Sequence, residues 1–278
     1  MIKTPLSTVI GGAFWTPGAT VINGAKLSFE IVMKKLFANG EQGFWYDPND
    51  MGTMFQDAAG AIPVTDVGRP VGLIRDKSGR NNHAFQTNSA SRPILRKNAV
   101  TGAYYLEFDG FDDFYVTNSI NFTTTNKVAL LAAARKVRES VQFECLLNFG
   151  ASATNGSFAL MLSSAFTSSS FENRGTLARY AVSAPYTAPK SQVLTGIGDL
   201  QENKTILRTS GLQTAVDISL GSGNYSNSQL FIGRRDGASQ SARLDMYGLI
   251  GVSRLTTDNE TAVIEKELAK RLGVTINV

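Results

Sequence analysis

Cysteine and histidine are almost missing from this sequence. Its 278 residues include one cysteine, Cys145, and one histidine, His83. A single cysteine cannot build an internal disulfide framework, and these counts are too low for a cysteine-based or multi-histidine zinc site within one chain. The glycine-rich signatures of nucleotide-binding loops, G-x-x-x-x-G-K-[ST] and G-x-G-x-x-G, do not occur. The sequence therefore disfavours disulfide scaffolds, zinc enzymes and nucleotide-dependent enzymes.

Strong charge and long apolar runs are also lacking. The net charge is +4, and no run of five or six like charges occurs, so we expect no nucleic-acid partner. No stretch approaches the ~20 apolar residues that cross a bilayer, so we expect no membrane insertion. The first residues show neither an apolar core nor a signal-peptide cleavage site, which predicts folding in a cytoplasm.

Residues 1–40 predict an assembly arm followed by a helix. The arm is rich in Gly, Pro and Thr, and it is too short to bury its own large apolar side chains. The spacing of apolar residues over 27–38 predicts a helix with two apolar rows. We expect this helix to be buried on two sides, between domains or between subunits. We therefore expect a homo-oligomer, such as a trimer. The predicted assembly residues are Phe14, Trp15, Val21, Ile22, Phe29, Met33 and Phe37.

The remaining chain predicts a mainly β protein. Residues 41–100 are rich in turn formers, and we expect an irregular connecting region that packs on the domain formed by residues 101–278. In that domain, about ten apolar or alternating runs predict an antiparallel jelly-roll sandwich. Ser168–Asn173 and Gly221–Asn227 are expected to be turns between strands.

A helix is predicted to close the chain and pack on the sandwich. Thr257 and Glu260 have the spacing of a capping box at its start. An apolar stripe follows, and Gly273 is the expected stop.

Several stretches together resemble the concanavalin A-like, laminin G-like jelly-roll domains of bacteriophage structural proteins. They are FANGEQGFWYDPNDMGTMFQDAAG (37–60), RPVGLIRDKSGRNNHAFQ (69–86), RPILRK (92–97), YYLEFDGFDDFYV (104–116), LFIGRRDG (230–237) and LDMYGLIGVSRLTTDNETAVIEKELAKRLGV (244–274). The resemblance implies a non-enzymatic virion component of the tail, baseplate, collar or head surface, with other virion proteins as partners. A glycan-binding adhesin for the host surface is the main alternative, and a polysaccharide-degrading glycosidase is a weaker one.

A glycan site would need exposed aromatic rings and polar side chains that bond hydroxyl groups. Several loops, among them residues 166–175 and 221–228, have the polar composition of adaptable binding surfaces. The candidate residues are Tyr186, Asn224, Tyr225, Asn227, Arg234, Arg235 and Asp236.

One acidic segment raises two further possibilities. Glu107 and Asp109 have the i, i+2 spacing of a glycosidase pair, although Asp109-Gly110 is also a turn signal. Asp109, Asp112 and Asp113 cluster hard oxygen ligands, so Ca²⁺ is possible, and no other cofactor is expected.

A third group, Asp76, Ser78 and His83, contains the residue types of a hydrolase triad. The three lie within eight residues on one loop, whereas triads assemble from separate elements. We therefore expect His83 to pack within the loop and to bond the backbone.

Overall fold

The computed structural model describes residues 27–140, 142–151, 153–163, 167–236 and 240–276, together with the backbone of residues 8–10 and 13–15. Two antiparallel sheets of eight and nine strands enclose one core, and two helices pack on the outside of the eight-stranded sheet. The predicted mainly β sandwich, with a helix ahead of it and a closing helix, is confirmed. No helix in these ranges is long and apolar enough to cross a membrane.

Most strands are short, with two to six residues, whereas β11, β16 and β21 have ten residues each. The strands are β1 (Thr8–Ile10), β2 (Ala13–Trp15), β3 (Gly43–Tyr46), β4 (Met54–Phe55), β5 (Leu73–Ile74), β6 (Ala84–Phe85), β7 (Ile94–Lys97), β8 (Tyr104–Asp109), β9 (Tyr115–Thr117), β10 (Ile120–Asn121), β11 (Lys127–Lys136), β12 (Glu144–Phe149), β13 (Phe158–Ser163), β14 (Ser170–Arg174), β15 (Ala178–Val182), β16 (Lys190–Asp199), β17 (Lys204–Thr209), β18 (Leu212–Asp217), β19 (Asn227–Ser228), β20 (Leu230–Ile232) and β21 (Arg243–Val252). The helices are α1 (Phe29–Leu36) and α2 (Asp258–Leu272).

The two large sheets share no strand. One has the order β18-β17-β16-β11-β21-β8-β7, with β3 also paired to β21. The other has the order β15-β14-β13-β12-β20-β9-β6-β5-β4. The strands β10 and β19 form a separate two-stranded sheet, as do β1 and β2.

Strand β11 is apolar on both faces because both faces are buried. Leu130 and Ala132 point into the core between the sheets. Leu131 and Ala133 alternate with them and join the cluster beneath the helices. A strand covered on two sides has no polar face, which explains its nearly continuous run of small and aliphatic residues.

Helix α1 packs on its own chain. Met33 and Leu36 are fully buried, Phe37 is 7% exposed, and the ring of Phe29 meets Trp45 edge to face at 5.9 Å. Met33, Leu36 and Phe37 belong to the cluster between the helices and the eight-stranded sheet, and Phe29 is partly buried against it. The chain's own sheet and closing helix bury Met33 and Phe37, so the assembly role predicted for these two residues is wrong. Phe29 is only partly buried, and its assembly role stays a prediction.

The described part of the arm ahead of α1 is a strand pair, β1 and β2. Val9 pairs with Phe14, and among the described strands β1 and β2 pair only with each other. The side chains of Phe14 and Trp15, and all of Val21 and Ile22, lie outside the described residues. Their assembly role stays a prediction.

The closing helix α2 begins and ends as predicted. Thr257 and Glu260 form the capping box, and Gly273 adopts the left-handed conformation (φ 70°) that ends the helix. Two ion pairs with buried carboxylates attach α2 to the eight-stranded sheet: Arg271 to Asp47 at 2.7 Å and Glu265 to Arg208 at 2.8 Å.

The region 41–100 is not only connecting chain. It supplies β3 and β7 to the eight-stranded sheet and β4, β5 and β6 to the nine-stranded sheet. The strands are two to four residues long, so their alternation is too brief to distinguish them from irregular apolar segments.

Candidate functional site

The outer face of the nine-stranded sheet carries a pocket. Along β13, β14 and β15, Leu160, Phe171 and Ala181 point into the core. The residues between them therefore point outward. Both described helices pack on the other sheet. Among these outward residues, Tyr180 and Val182 stay partly exposed, whereas Met161, Ser170 and Glu172 are buried. They line a pocket of about 270 Å³ formed by Phe143, Met161, Ser170, Glu172, Tyr180, Val182 and Arg235.

A buried carboxylate lies at one wall of this pocket. Glu172 is 3% exposed, and its two oxygens accept from different guanidinium groups. Arg235 Nη2 lies 2.7 Å from Oε2, and Arg174 Nη2 lies 3.4 Å from Oε1. Two cations around one anion leave a net positive charge, so this wall offers both a hydrogen-bond acceptor and charged donors to a ligand.

One buried hydroxyl in the pocket has no partner among the described residues. Ser170 is 1% exposed, and its Oγ makes no hydrogen bond to any described residue. A buried polar atom without a partner costs free energy, and such an atom inside a pocket is a position where a ligand's polar group restores the bond.

Aromatic rings border the same pocket. Tyr180 is 47% exposed and Phe143 is 41% exposed, although both lie on or beside a sheet. Burial of the rest of its ring and the nearby Glu172 raise the pKa of Tyr180, so its hydroxyl stays protonated at neutral pH. Flat apolar rings beside hydrogen-bonding groups suit a ligand with one apolar face and several hydroxyl groups.

A second pocket lies where the edges of the two sheets meet. Its volume is about 320 Å³, and Tyr186 and Gln192 line it together with residues of β17 and β18. The Tyr186 hydroxyl donates to the carbonyl of Leu162 and lies 3.2 Å from Ser169 Oγ. The structure thus places the predicted residue Tyr186 at a pocket, with its hydroxyl held by the sheet.

The other predicted glycan residues do not come together. Tyr225 is 2% exposed and donates its hydroxyl to Asn173 Oδ1 at 2.8 Å, so its predicted stacking on a sugar is wrong. Asn224 is exposed but donates to the carbonyl of Thr123 at 2.7 Å. Asn227 is exposed on β19, away from either pocket.

The arginine run after β20 divides between two places. Arg235 reaches the sheet pocket, whereas the guanidinium of Arg234 lies 3.4 Å above the centre of the Phe114 ring. Burial lowers the pKa of Arg234, and the stacking fixes its side chain away from the pocket. Asp236 is half-buried and lines neither pocket. Only Arg235 of the three belongs to the candidate site.

The acidic segment forms a capped turn. Asp109 Oδ1 accepts from the backbone N–H groups of Phe111, Asp112 and Asp113, and Glu107 is paired with Arg96. Both carboxylates of the glycosidase-like pair are therefore bonded to groups of the chain itself. Gly110, at φ 78°, supports the turn interpretation.

The same turn gathers three carboxylates. Asp109, Asp112 and Asp113 each place an oxygen within 4.8 Å of the others. Burial raises the pKa of Asp113 to about 6, and the neighbouring carboxylates add to the shift. Asp113 Oδ2 already accepts from the backbone N–H of Asp109 at 2.9 Å. Calcium binding here stays a prediction, which calorimetry with Ca²⁺ and a chelator would test.

The loop around Asp76 is held by its own hydrogen bonds. Asp76 accepts from Ser78 Oγ at 2.7 Å and from the backbone N–H of Trp45 at 2.9 Å. His83 Nδ1 accepts from the backbone N–H of Asp76 at 3.0 Å, so it faces the backbone and not the serine. The prediction that His83 bonds the backbone within its loop is confirmed.

Comparisons with known proteins show the fold. No family model and no curated protein matches the sequence. A ligand-binding domain of botulinum neurotoxin serotype D, solved in complex with N-acetylneuraminic acid, superposes with a TM-score of 0.58 at 10% identity. A Trypanosoma rangeli sialidase superposes at 0.51 with 11% identity. This chain is covered to 85% in both cases but spans 52% of the first protein and 34% of the second.

Proposed function

We propose that this protein is a carbohydrate-binding module whose site is the pocket on the outer face of the nine-stranded sheet. The observation that carries the proposal is the combination found there: two half-exposed rings, a buried carboxylate between two guanidinium groups, and the unpartnered hydroxyl of Ser170. A pyranose ring offers a matching surface, because one face is apolar and its edges carry hydroxyl groups. The site would bind without bond cleavage.

The structural neighbours support a saccharide over other small ligands. One is described in complex with N-acetylneuraminic acid, and a related neurotoxin DC binding domain is described in complex with SialylT. The latter superposes with a TM-score of 0.52 at 10% identity, covering 70% of this chain and 48% of the other. Their shared architecture is compatible with saccharide recognition by this fold.

We propose a virion as the setting for this module, on the basis of the sequence resemblance. The hairpin of β1 and β2 pairs with neither large sheet among the described strands, and an isolated two-stranded hairpin is marginally stable alone. A neighbouring subunit or virion protein would stabilise it. Deleting residues 1–26 should leave a folded sandwich of lower oligomeric state by light scattering. An unchanged oligomer would contradict an assembly role for the arm.

A glycan array tests the binding proposal. Tyr180→Ala removes one ring from the pocket, and Phe111→Ala removes a ring that is 71% exposed on the acidic turn. The first change should lower the affinity for any glycan bound by the wild type about tenfold or more, because contact with an aromatic face is worth ~1.5–3 kcal/mol. The second should not change it. No binding to any glycan, or equal losses in both variants, would contradict the proposed site.

Sugar release separates a binding module from a glycosidase. The wild type should release no reducing ends from any polysaccharide that it binds. If it does, Glu107→Gln should be compared with the wild type, because a loss of that activity would make the acidic turn catalytic and contradict the proposal.

A further inference from the structure

The second pocket contains a buried amide with an open hydrogen-bonding position. Gln192 lies on β16, is fully buried, and lines the pocket of about 320 Å³. Its oxygen lies 3.4 Å from Ser169 Oγ, and its Nε2 has no partner among the described residues. A residue that lines the cavity, beside the Tyr186 hydroxyl, therefore carries a buried polar atom without a hydrogen bond.

The neighbouring hydroxyl groups determine which hydrogen-bond partner the Gln192 amide can accept. Because Tyr186 donates its proton to the carbonyl of Leu162, its oxygen is left to accept the single proton of Ser169. The Gln192 amide can adopt two orientations related by a 180° flip. In one, its nitrogen donates to Ser169 and its carbonyl oxygen has no hydrogen bond; in the other, its nitrogen has none. A ligand hydroxyl group both donates and accepts, so it satisfies the site in either orientation.

Consecutive residues at the end of β15 line the two pockets. Val182 lines the sheet pocket, and the next residue, Ser183, lines the second pocket. Tyr180 and Ser183 are three residues apart, which corresponds to about 10 Å along an extended strand. That separation is close to the length of a disaccharide, so one glycan chain could reach both pockets by crossing the edge of the sheet.

We infer that the second pocket is a further saccharide subsite, and that the ligand is an oligosaccharide or polysaccharide bound along its chain. This inference rests on the proposed function of the sheet pocket. The sheet pocket binds one sugar unit by its rings, and the Gln192 pocket binds a later unit through hydroxyl groups.

An array printed with mono- to hexasaccharides of each glycan type tests the inference. For wild type, affinity should rise about tenfold once the chain is long enough to occupy both pockets. Gln192→Leu keeps the side-chain volume and removes the amide, so it should lower the affinity for long chains about fivefold and leave short chains unchanged. Gln213→Leu, an exposed glutamine on β18 that does not line the pocket, is the matched control.

A second variant covers the case in which Gln192→Leu fails to fold. Thr214→Val removes a hydroxyl from the opposite wall of the pocket, on the edge strand β18, and should show a smaller loss restricted to long chains. If the wild type binds monosaccharides and hexasaccharides equally, or if neither variant changes the length dependence, the inference is wrong although the proposed function stands. If Tyr180→Ala also leaves all binding unchanged, the proposed function itself is wrong.

Discussion

The two sheets differ most on their outer faces. On the eight-stranded sheet, Leu131, Val193 and Ile250 point outward and are almost completely buried, because α1 and α2 cover them. On the nine-stranded sheet, Tyr180 and Val182 also point outward, but they are 47% and 39% exposed. The same sandwich thus uses outward apolar residues once for stability and once, in our proposal, for a ligand. Exposed apolar side chains that line a pocket rimmed by polar groups are typical of a binding surface.

The largest expected effect contrasts the two faces by stability. Leu268→Ala empties a fully buried site between α2 and the eight-stranded sheet, and it should lower the free energy of unfolding by ~3 kcal/mol. Val182→Ala on the open face should change it by less than ~0.5 kcal/mol. Urea denaturation of both variants measures the difference. Equal losses would show that the open face also stabilises the fold.

A smaller effect on the free energy of unfolding is expected from the titration of one buried carboxyl group. Asp245 lies on β21, on the eight-stranded sheet, and burial raises its pKa to about 6, with Arg135 opposing the shift and Glu107 adding to it. An unfolded Asp has a pKa of about 3.9, so between these values the folded state binds the extra proton. Stability from this group is therefore present at low pH and is lost as the pH rises through 6.

Asp245→Asn removes this titration. Relative to the variant, the wild type should gain about 1 kcal/mol of unfolding free energy between pH 7 and pH 5. Chemical denaturation at both pH values measures the gain, and a parallel change in the two proteins would contradict the raised pKa. Arg135 is half-exposed, so losing its partner should cost little at either pH.

The smallest expected effect concerns the layer beneath the open pocket. Cys145 is fully buried, pairs across the strands with Met161, and forms a small cluster with it and Ala159. Burial raises the pKa of the Cys145 thiol, so a thiol reagent should react with the native protein only slowly. Met161→Ala should speed the reaction several-fold, whereas Val182→Ala should not. Fast labelling of the wild type would show that the reagent reaches Cys145 beneath the pocket.

Much of the fold could be predicted from the sequence where local and tertiary signals agree. The capping box at Thr257 and the glycine stop at Gly273 are local features, and α2 follows them. The apolar run Phe158–Ser163 is a strand in the structure, β13. The sequence pattern predicts a turn where strand β14 lies, because both its outward side chains and the inward Asn173 are polar. Its inward Asn173 bonds Tyr225, a contact 52 residues away that no local pattern contains.

The site was harder to predict than the fold. The sequence identifies Arg235 and Tyr186 as candidate residues, but it places Glu172 in a predicted turn and does not single out Tyr180. The alternation of Tyr180 and Val182 on β15 could have indicated this site. Large side chains on the outward face of an edge strand are expected to contact a ligand or a partner. Tyr225 was misassigned because a glycine-rich loop suggests exposure, whereas its ring is held in the core by Phe158 and Asn173.

Methyl NMR of the wild type, titrated with the glycan bound most tightly on the array, tests the central claim most directly. The claim is that the uncovered outer face is the binding face. The methyl signals of Met161 and Val182 should shift, while those of Val193 and Leu268, on the helix-covered side, should stay unchanged. Shifts confined to the helix-covered side, with the signals of Met161 and Val182 unmoved, would contradict the account.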